Sequence, residues 1–539
     1  MRARSLPLTL LALSTAGATL LGGQARADSS LRLSHVGAAQ PKAPGLTTPN
    51  VLSPELAATA RAQGSTKLEN PADGIGYYGY DSVNNTPPLM PVGTTAEAHK
   101  TEPDKNTYLV LKEQTGPDAS YDYGTHFLFQ GHESSDASSS GYVTRVNLDA
   151  DAAHRVTLLA TRDQAGKLPN FDGSTYNPFT GKLMLTAEAG CATSAGVWTG
   201  RPSYSPGATF TSLDGLFGRG GYEGIQTASD GSIWLVEDVG GKSFGTPAKA
   251  KVANSFVYRF VPVDKTDLSQ GGKLQALQVG GIPYDASNPF TQNLADLHTY
   301  GKSFPTTWVT IHDTATDGAT SFCAGDLAKT AGATPFKRPE NGVFRPGTGF
   351  GEFYFTETGD TDATSPGNGT YGGWGGVFKL SQNGPSANTG TLTLAFRGDQ
   401  EHTGLDNLQF FGKNLLAVVE DAGDTLHTQR GALDSGYLLD VRQAQPSPLR
   451  FLAEGRDPSA TLDSALGNTG NDGDNEITGI HVSDGDPGVS GLLGAKTPTP
   501  FKSGWRAFYT AQHGDNVTYE LLPNPKVSPY TTGEDQNDD

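Results

Sequence analysis

Six stretches of the chain share one pattern, an apolar run that closes on an acid or a histidine. They are HFLFQGHE (126–133), KLMLTAE (182–188), SIWLVED (232–238), EFYFTET (352–358), NLLAVVED (414–421) and RAFYTAQH (506–513). Short runs rich in Val, Leu, Phe and Tyr predict strands. Each is followed, after a loop of variable length, by a second such run: GYVTRVNL, GVW, FVYRFVPV, GGVFKLS, GYLLDV or VTYELLP. Five are preceded by a third short element that opens on an acid: Asp172-Gly173, Glu223-Gly224, Glu340-Asn341, Asp406-Asn407 and Glu476-Ile477-Thr478-Gly479. A degenerate repeat of short strands predicts an all-β fold, a six-bladed β-propeller. A seventh blade around TTWVTIHD (306–313) is the competing count, because the third and fourth repeats are unusually far apart. In that gap AKTAGATPF predicts a short helix on one rim, where inserted loops cover a functional face.

The same repeat predicts a site. The innermost strand of a blade starts at one rim of the channel, and the next strand, being antiparallel, ends there. Acids that open the first strand and acids that close the second therefore converge. About ten carboxylates at one channel mouth repel each other unless cations sit among them. One acid-Gly or Asp-Asn pair is ordinary turn chemistry; five in phase point to a shared metal site.

The chain begins with Arg2 and Arg4 before an apolar run that ends in Ala25-Arg26-Ala27, the pattern of a secretory signal peptide over residues 1–27. Residues 28–104 read as an N-terminal leader and extension, with a short helix around SPELAATARAQG. Residues 105–525 read as the propeller and 526–539 as an acidic tail. No later segment is apolar enough to predict a transmembrane span, so the expected location is secreted, periplasmic or in the cell envelope. The whole chain carries 39 Lys and Arg against 57 acids. Without the three arginines of the leader, the balance is 36 − 57 = −21. That excludes the basic footprint of a nucleic-acid binder and fits a calcium-rich exterior; separately, a monomer is expected. The two cysteines, Cys191 and Cys323, lie in no C-x-x-C motif. In an exported protein they read as a disulfide or as two unpaired thiols.

At AGATPFKRPE (331–340) the sequence resembles the PhoX-type alkaline phosphatases, secreted six-bladed propellers. Other matches follow in the family's order. GHE (131–133) resembles its Asn-His-Glu strand end, and LMLTAE (183–188) its Thr-x-Glu strand. GGYEGIQ (220–226) resembles its Lys-His-Glu segment, with Tyr222 in the place of the His. FVYRFVP (256–262), LDNLQF (405–410), EITG (476–479) and AQHG (511–514) match its outer-strand, Pro-Asp-Asn/Gly-Leu and last-blade segments. The resemblance spans roughly residues 105–520. It implies a multinuclear centre of calcium and iron that hydrolyses phosphate monoesters. Carried over, Glu133, Glu188, Glu223, Glu340 and Glu476 are metal ligands, and Arg338 grips the phosphate. Arg338 stands two residues before Glu340, on the same face of an extended segment. Asp172, Asp238, Asp406, Asn407, His132 and His513 are candidates to support that set.

One departure bears on the metals. Where the family carries an iron-binding Cys, this sequence reads PNFDGSTYNP, with Asp172 nearby and no Cys. Calcium is therefore the expected cofactor, and iron is an open alternative. Two other functions stay open. One is a calcium-dependent lactonase- or phytase-like propeller enzyme; the other is a non-enzymatic envelope propeller with structural calcium. HDTATD (312–317) lacks the glycine and terminal Glu of an EF-hand loop and reads as surface. SDGDPG (483–488) reads as an acid-rich turn. No G-x-S-x-G is present, so a nucleophile-elbow hydrolase is not supported.

Overall fold

The computed structural model describes residues 31–43, 46, 48–79, 101–133, 141–163, 166–244, 250–456, 476–512 and 516–530. The expected signal peptide, His513 and residues 531–539 of the tail lie outside these described residues. The chain is mainly β, with small antiparallel sheets in a propeller-like arrangement. The first unit runs Thr107–Val110, His126–His132, Tyr142–Asn147 and Val156–Ala160. The second runs Ser174–Asn177, Lys182–Ala187, Gly196–Gly200 and Thr211–Ser212. The third unit (Tyr222–Thr227, Ile233–Glu237, Val257–Pro262, Gly272–Val279) and the fourth (Gly342–Phe344, Glu352–Glu357, Gly376–Gln382, Thr389–Arg397) lie in one nine-stranded sheet. Leu405–Phe410, Leu415–Glu420, Ser435–Asp440 and Leu449–Ala453 form the fifth. Glu476–Ser483, Arg506–Gln512 and Val517–Pro523 belong to the sixth.

Two expectations are corrected here. SPELAATARAQG is not a helix. Its Leu56–Ala62 is a strand paired antiparallel with Val517–Pro523, so an N-terminal strand completes the last sheet. The open edge of Val517–Pro523 offers a row of backbone donors and acceptors, and this pairing outweighs the helix propensity of an Ala-rich segment. TTWVTIHD is no separate blade either. It belongs to the long strand Ser303–Asp313, which pairs with Gly272–Val279 on one side and Thr389–Arg397 on the other. The helix in this region is Ala324–Thr330, slightly earlier than AKTAGATPF. Of HDTATD, His312 is buried against Phe322 at the end of the strand Ser303–Asp313, and the exposed part is the short helix Thr314–Asp317 that Asp313 caps.

The innermost strands of neighbouring units touch in sequence, first to second through to sixth, and the sixth touches the first. An apolar layer fills each gap between units. Trp234, Val257 and Leu277 meet Phe344, Phe353 and Phe378 between the third and fourth. Ala62 and Phe508 meet Tyr108 and Leu128 where the ring closes. Burying side chains of this size stabilises by about 1.5–3 kcal/mol each. The sheets are therefore held by their faces, and the ends of the inner strands are free to carry polar groups into the channel.

Candidate functional site

Three inner strands bulge where they carry the acid motif. Register shifts place Glu223-Gly224 opposite a single residue, and likewise Asp406-Asn407 and Gly479-Ile480. A bulge re-aims side chains without ending the sheet, so the acid-small pair is bulge chemistry rather than turn chemistry. The small residue answers to the narrowness of the ring. A Cβ on Gly173 would stand 2.0 Å from the Glu223 carbonyl oxygen of the next unit, and one on Gly224 2.8 Å from the Asn341 Cα.

The strand ends meet at one rim, as the antiparallel pairing requires. Asp238 N–H donates to the Gly221 carbonyl at 2.6 Å and Asp421 N–H to Gly404 at 2.7 Å. Glu188 N–H donates to the Asp172 carboxylate at 2.8 Å. Side chains then link the units around the channel. Ser174 Oγ donates to the Lys105 carbonyl at 2.9 Å, Thr186 Oγ1 to Glu223 O at 2.6 Å and Thr356 Oγ1 to Asp406 O at 2.7 Å. Asn407 Nδ2 donates to Thr478 Oγ1 at 2.9 Å, and Thr478 Oγ1 donates to Asp104.

The result is an inner tier of buried carboxylates, Asp104, Asp172, Glu223, Glu340 and Asp406. They form two triads that share Glu223. Oxygens of Asp104, Asp172 and Glu223 lie within 4.8 Å of one another, as do those of Glu223, Glu340 and Asp406. An outer tier is more open: Glu133, Asp421 and Glu476 are half-buried and Glu188 is exposed. Burial, then crowding by like charge, pushes the inner acids well above the usual carboxylate range. Asp172 is raised by desolvation and then by Glu133, and Glu223 by desolvation and then by Asp172, Asp104 and Glu340. Glu340 is raised by desolvation and Asp238, and Asp406 by desolvation and Glu476. Glu188, walled in although its edge meets solvent, is raised by desolvation and then by Asp238 and Glu133.

Two cations enter this ring. Arg338 grips Asp238 by a fork, Nε at 3.0 and 2.9 Å from the two oxygens and Nη2 at 2.7 Å from one. Its Nη2 also stands 3.4 Å from Glu340. Desolvation opposes the charge on Arg338, but Asp238 and Glu340 outweigh it and hold the guanidinium firmly protonated. The backbone here is not extended as the sequence suggested. Arg338 has φ +57°, a left-handed turn that brings its side chain back over the rim. Thr358 N–H fixes this turn on the Arg338 carbonyl at 2.9 Å, and Lys337 N–H on Glu357 at 2.8 Å. The second cation, Lys105, is buried and donates to Asn341 Oδ1. Desolvation pulls its ammonium down to about 8 against the pull of Asp104, Asp406 and Glu223.

The structure thus brings together Glu133, Glu188, Glu223, Glu340, Glu476, Asp172, Asp238, Asp406, Asn407 and Arg338. Asp172 and Asp406, expected in supporting places, stand in the inner tier beside Glu223. Asp238 is the partner of Arg338. His132 turns away into the core: it bonds Thr144 at 2.8 Å, stacks on Tyr142 at 4.2 Å, and burial lowers it to about 3. Asp104 and Lys105 escaped the sequence reading. The signal that could have found them is an acid just before the first inner strand, in phase with the other five. Cys191 and Cys323 are joined in a disulfide, so no thiolate serves the ring. Asp484 and Asp486 are both paired with Lys496, at 2.6 and 2.9 Å.

The donor set fits a hard cation. It is all oxygen, and it includes the buried Asn407 Oδ1, which has no hydrogen-bond partner among the described residues. Calcium takes six to eight oxygen ligands of this kind. Carboxylates also accept ferric iron, but the thiolate position that the resemblance associates with iron is not filled here.

The match to known proteins follows this geometry. Residues 250–486 match the model of a family described as Alkaline phosphatase PhoX. The structure of Pseudomonas fluorescens PhoX in complex with vanadate, a transition state analogue, is similar with a TM-score of 0.54 at 12% identity. The match covers 91% of this chain and 98% of that one. YCF48 from Cyanidioschyzon merolae (TM-score 0.32, 10% identity, 80% and 98% covered) and a Trichoderma reesei carbohydrate-active enzyme of family AA12 (0.26, 10%, 91% and 100%) are too distant to inform the site. No curated protein matches the sequence. The structural likeness supports a mainly β fold with small sheets in a propeller-like arrangement. The matched model covers less than half of the chain, and it is that of the family which the ordered motifs resemble.

Proposed function

We propose that this protein is an exported, metal-dependent phosphatase that hydrolyses phosphate monoesters at the rim of a six-bladed propeller channel. The observation that carries the reading is Arg338. It is held by Asp238 at the edge of the carboxylate ring with a quarter of its side chain exposed (23%). Its fork to Asp238 uses Nε and Nη2, and no hydrogen bond from Nη1 is formed among the described residues. A phosphate bound at the ring would find that edge of the guanidinium already aimed, in the planar geometry that suits phosphoryl oxygens. Glu133, Glu188, Glu223, Glu340, Asp172, Asp406 and Glu476 would hold the metal ions. Bound there, metal ions would polarise the phosphoryl group and supply a nucleophile at the working pH. Asp238 orients Arg338 and keeps it charged. The buried inner tier excludes water, which strengthens every charge interaction at the ring.

The all-oxygen donor set favours calcium over thiolate-bound iron. Among the described residues no helix is long and apolar enough to cross a membrane, and the leader supports export. Purified mature protein, loaded with calcium and with ferric iron, is assayed on p-nitrophenyl phosphate with and without chelator and vanadate. Hydrolysis that chelator abolishes and vanadate inhibits is expected. No hydrolysis at any pH by the loaded protein would overturn the enzymatic reading and leave a calcium-binding envelope propeller. Ester cleavage confined to lactones would favour the lactonase-like alternative.

A further inference from the structure

Lys105 lies where a metal centre leaves least room for a lysine. It sits at the start of the first inner strand, next to Asp104 of one carboxylate triad. Its side chain crosses the channel to Asn341, at the start of the fourth inner strand and on the far side of the ring. The residue is 2% exposed. That crossing carries the ammonium from a residue beside Asp104 of one triad to the residue after Glu340 of the other. A buried ammonium persists only when it is paired. The acids, crowded within 4.8 Å inside each triad, likewise need a positive charge. The two needs are mutual.

We infer that Lys105 is a cation built into the channel, standing in for one of the metal ions that the ring would otherwise hold. Its ammonium offsets part of the charge on the inner faces of both triads, and the carboxylates around it would hold the remaining ions. Asn341 fixes the ammonium with its Oδ1. The Asn341 Nδ2 is buried and has no partner among the described residues, so it contributes no competing bond. The inference rests on the metal-centre reading, yet it makes a separate claim: removing the ammonium opens a new cation position at the Asn341 oxygen, between the two triads.

The test uses the full mature chain. Parent, Lys105→Met and Lys105→Arg are equilibrated with calcium, freed of loose ions by gel filtration, and analysed for bound metal. Each is then melted with calcium and with chelator. Lys105→Met is expected to bind one more equivalent of calcium than the parent and to lose more stability in chelator. Lys105→Arg keeps the charge and is expected to keep the parental metal content. Equal metal content in Lys105→Met and the parent would overturn the inference. If Lys105→Met fails to fold even with calcium, the double variant Lys105→Met/Asp406→Asn decides. Recovery of the fold by removing one acid supports a charge-balancing role, and failure to recover overturns it. A parent without bound metal would sink the metal-centre reading alone, because the gain in Lys105→Met is measured against that parent.

Discussion

Stripping metal from the ring should destabilise the protein, and more so as pH rises. In each triad three carboxylates lie within 4.8 Å. At an effective dielectric of about 20, one ionised pair at that distance costs about 3.5 kcal/mol. Six such pairs across two triads approach 20 kcal/mol, more than the 5–15 kcal/mol that typically holds a domain together. Lys105 and Arg338 offset part of this. The remainder must be neutralised by bound cations or by protons, and the raised carboxyls show the second route in the metal-free chain. A carboxyl whose folded value lies above its unfolded one binds more protons when folded. Its stabilisation is complete below the unfolded value, near pH 4, and is lost as pH climbs through the raised values. Melts in chelator should therefore fall as pH rises above the unfolded carboxyl value of about 4, while melts in calcium hold level. Each ion present at a hundred times its Kd adds about 2.7 kcal/mol. At roughly 2 cal/mol/K of unfolding entropy per residue, a chain of 539 residues shifts by about 1 °C per kcal/mol, so each ion contributes about 3 °C. Coincident melts with calcium and with chelator at the higher pH would refute the reasoning.

Glu340→Gln should lower bound metal by elemental analysis, since the amide keeps the shape but not the charge. The control Asp313→Asn should not, because Asp313 caps a surface helix and pairs with Lys273; equal metal in Glu340→Gln and the parent would end the assignment. Arg338→Ala should cut kcat by about 10²–10³, and Arg338→Lys should cut it less. Asp238→Asn should approach the alanine variant, with the double variant no worse than either alone; additive losses would mean that Asp238 acts independently of Arg338. Gly173→Ala should destabilise by about 1–3 kcal/mol, because its Cβ would meet the Glu223 carbonyl; an unchanged melt would mean that the inner strands have room to part.

What the sequence revealed and what it hid follow one physical line. The repeated apolar runs were legible because each strand must bury both faces between sheets, and the acids because a bulge with a small residue recurs in phase. Asp104 broke that pattern. A lysine follows it where the other motifs carry a small, amide or β-branched residue, and that lysine is the one that crosses the channel. The strand Leu56–Ala62 was hidden because its pairing partner lies at the other end of the chain, and its Ala-rich sequence takes strand form only against that edge. The fork between Arg338 and Asp238 joins residues 100 positions apart and depends on a left-handed turn at Arg338 that no local spacing announces. Local pattern therefore specified which residues face the channel, and ring closure decided which of them meet. The two cations illustrate this best. Each comes from one unit and is held by another, so their places became visible only once the ring was closed.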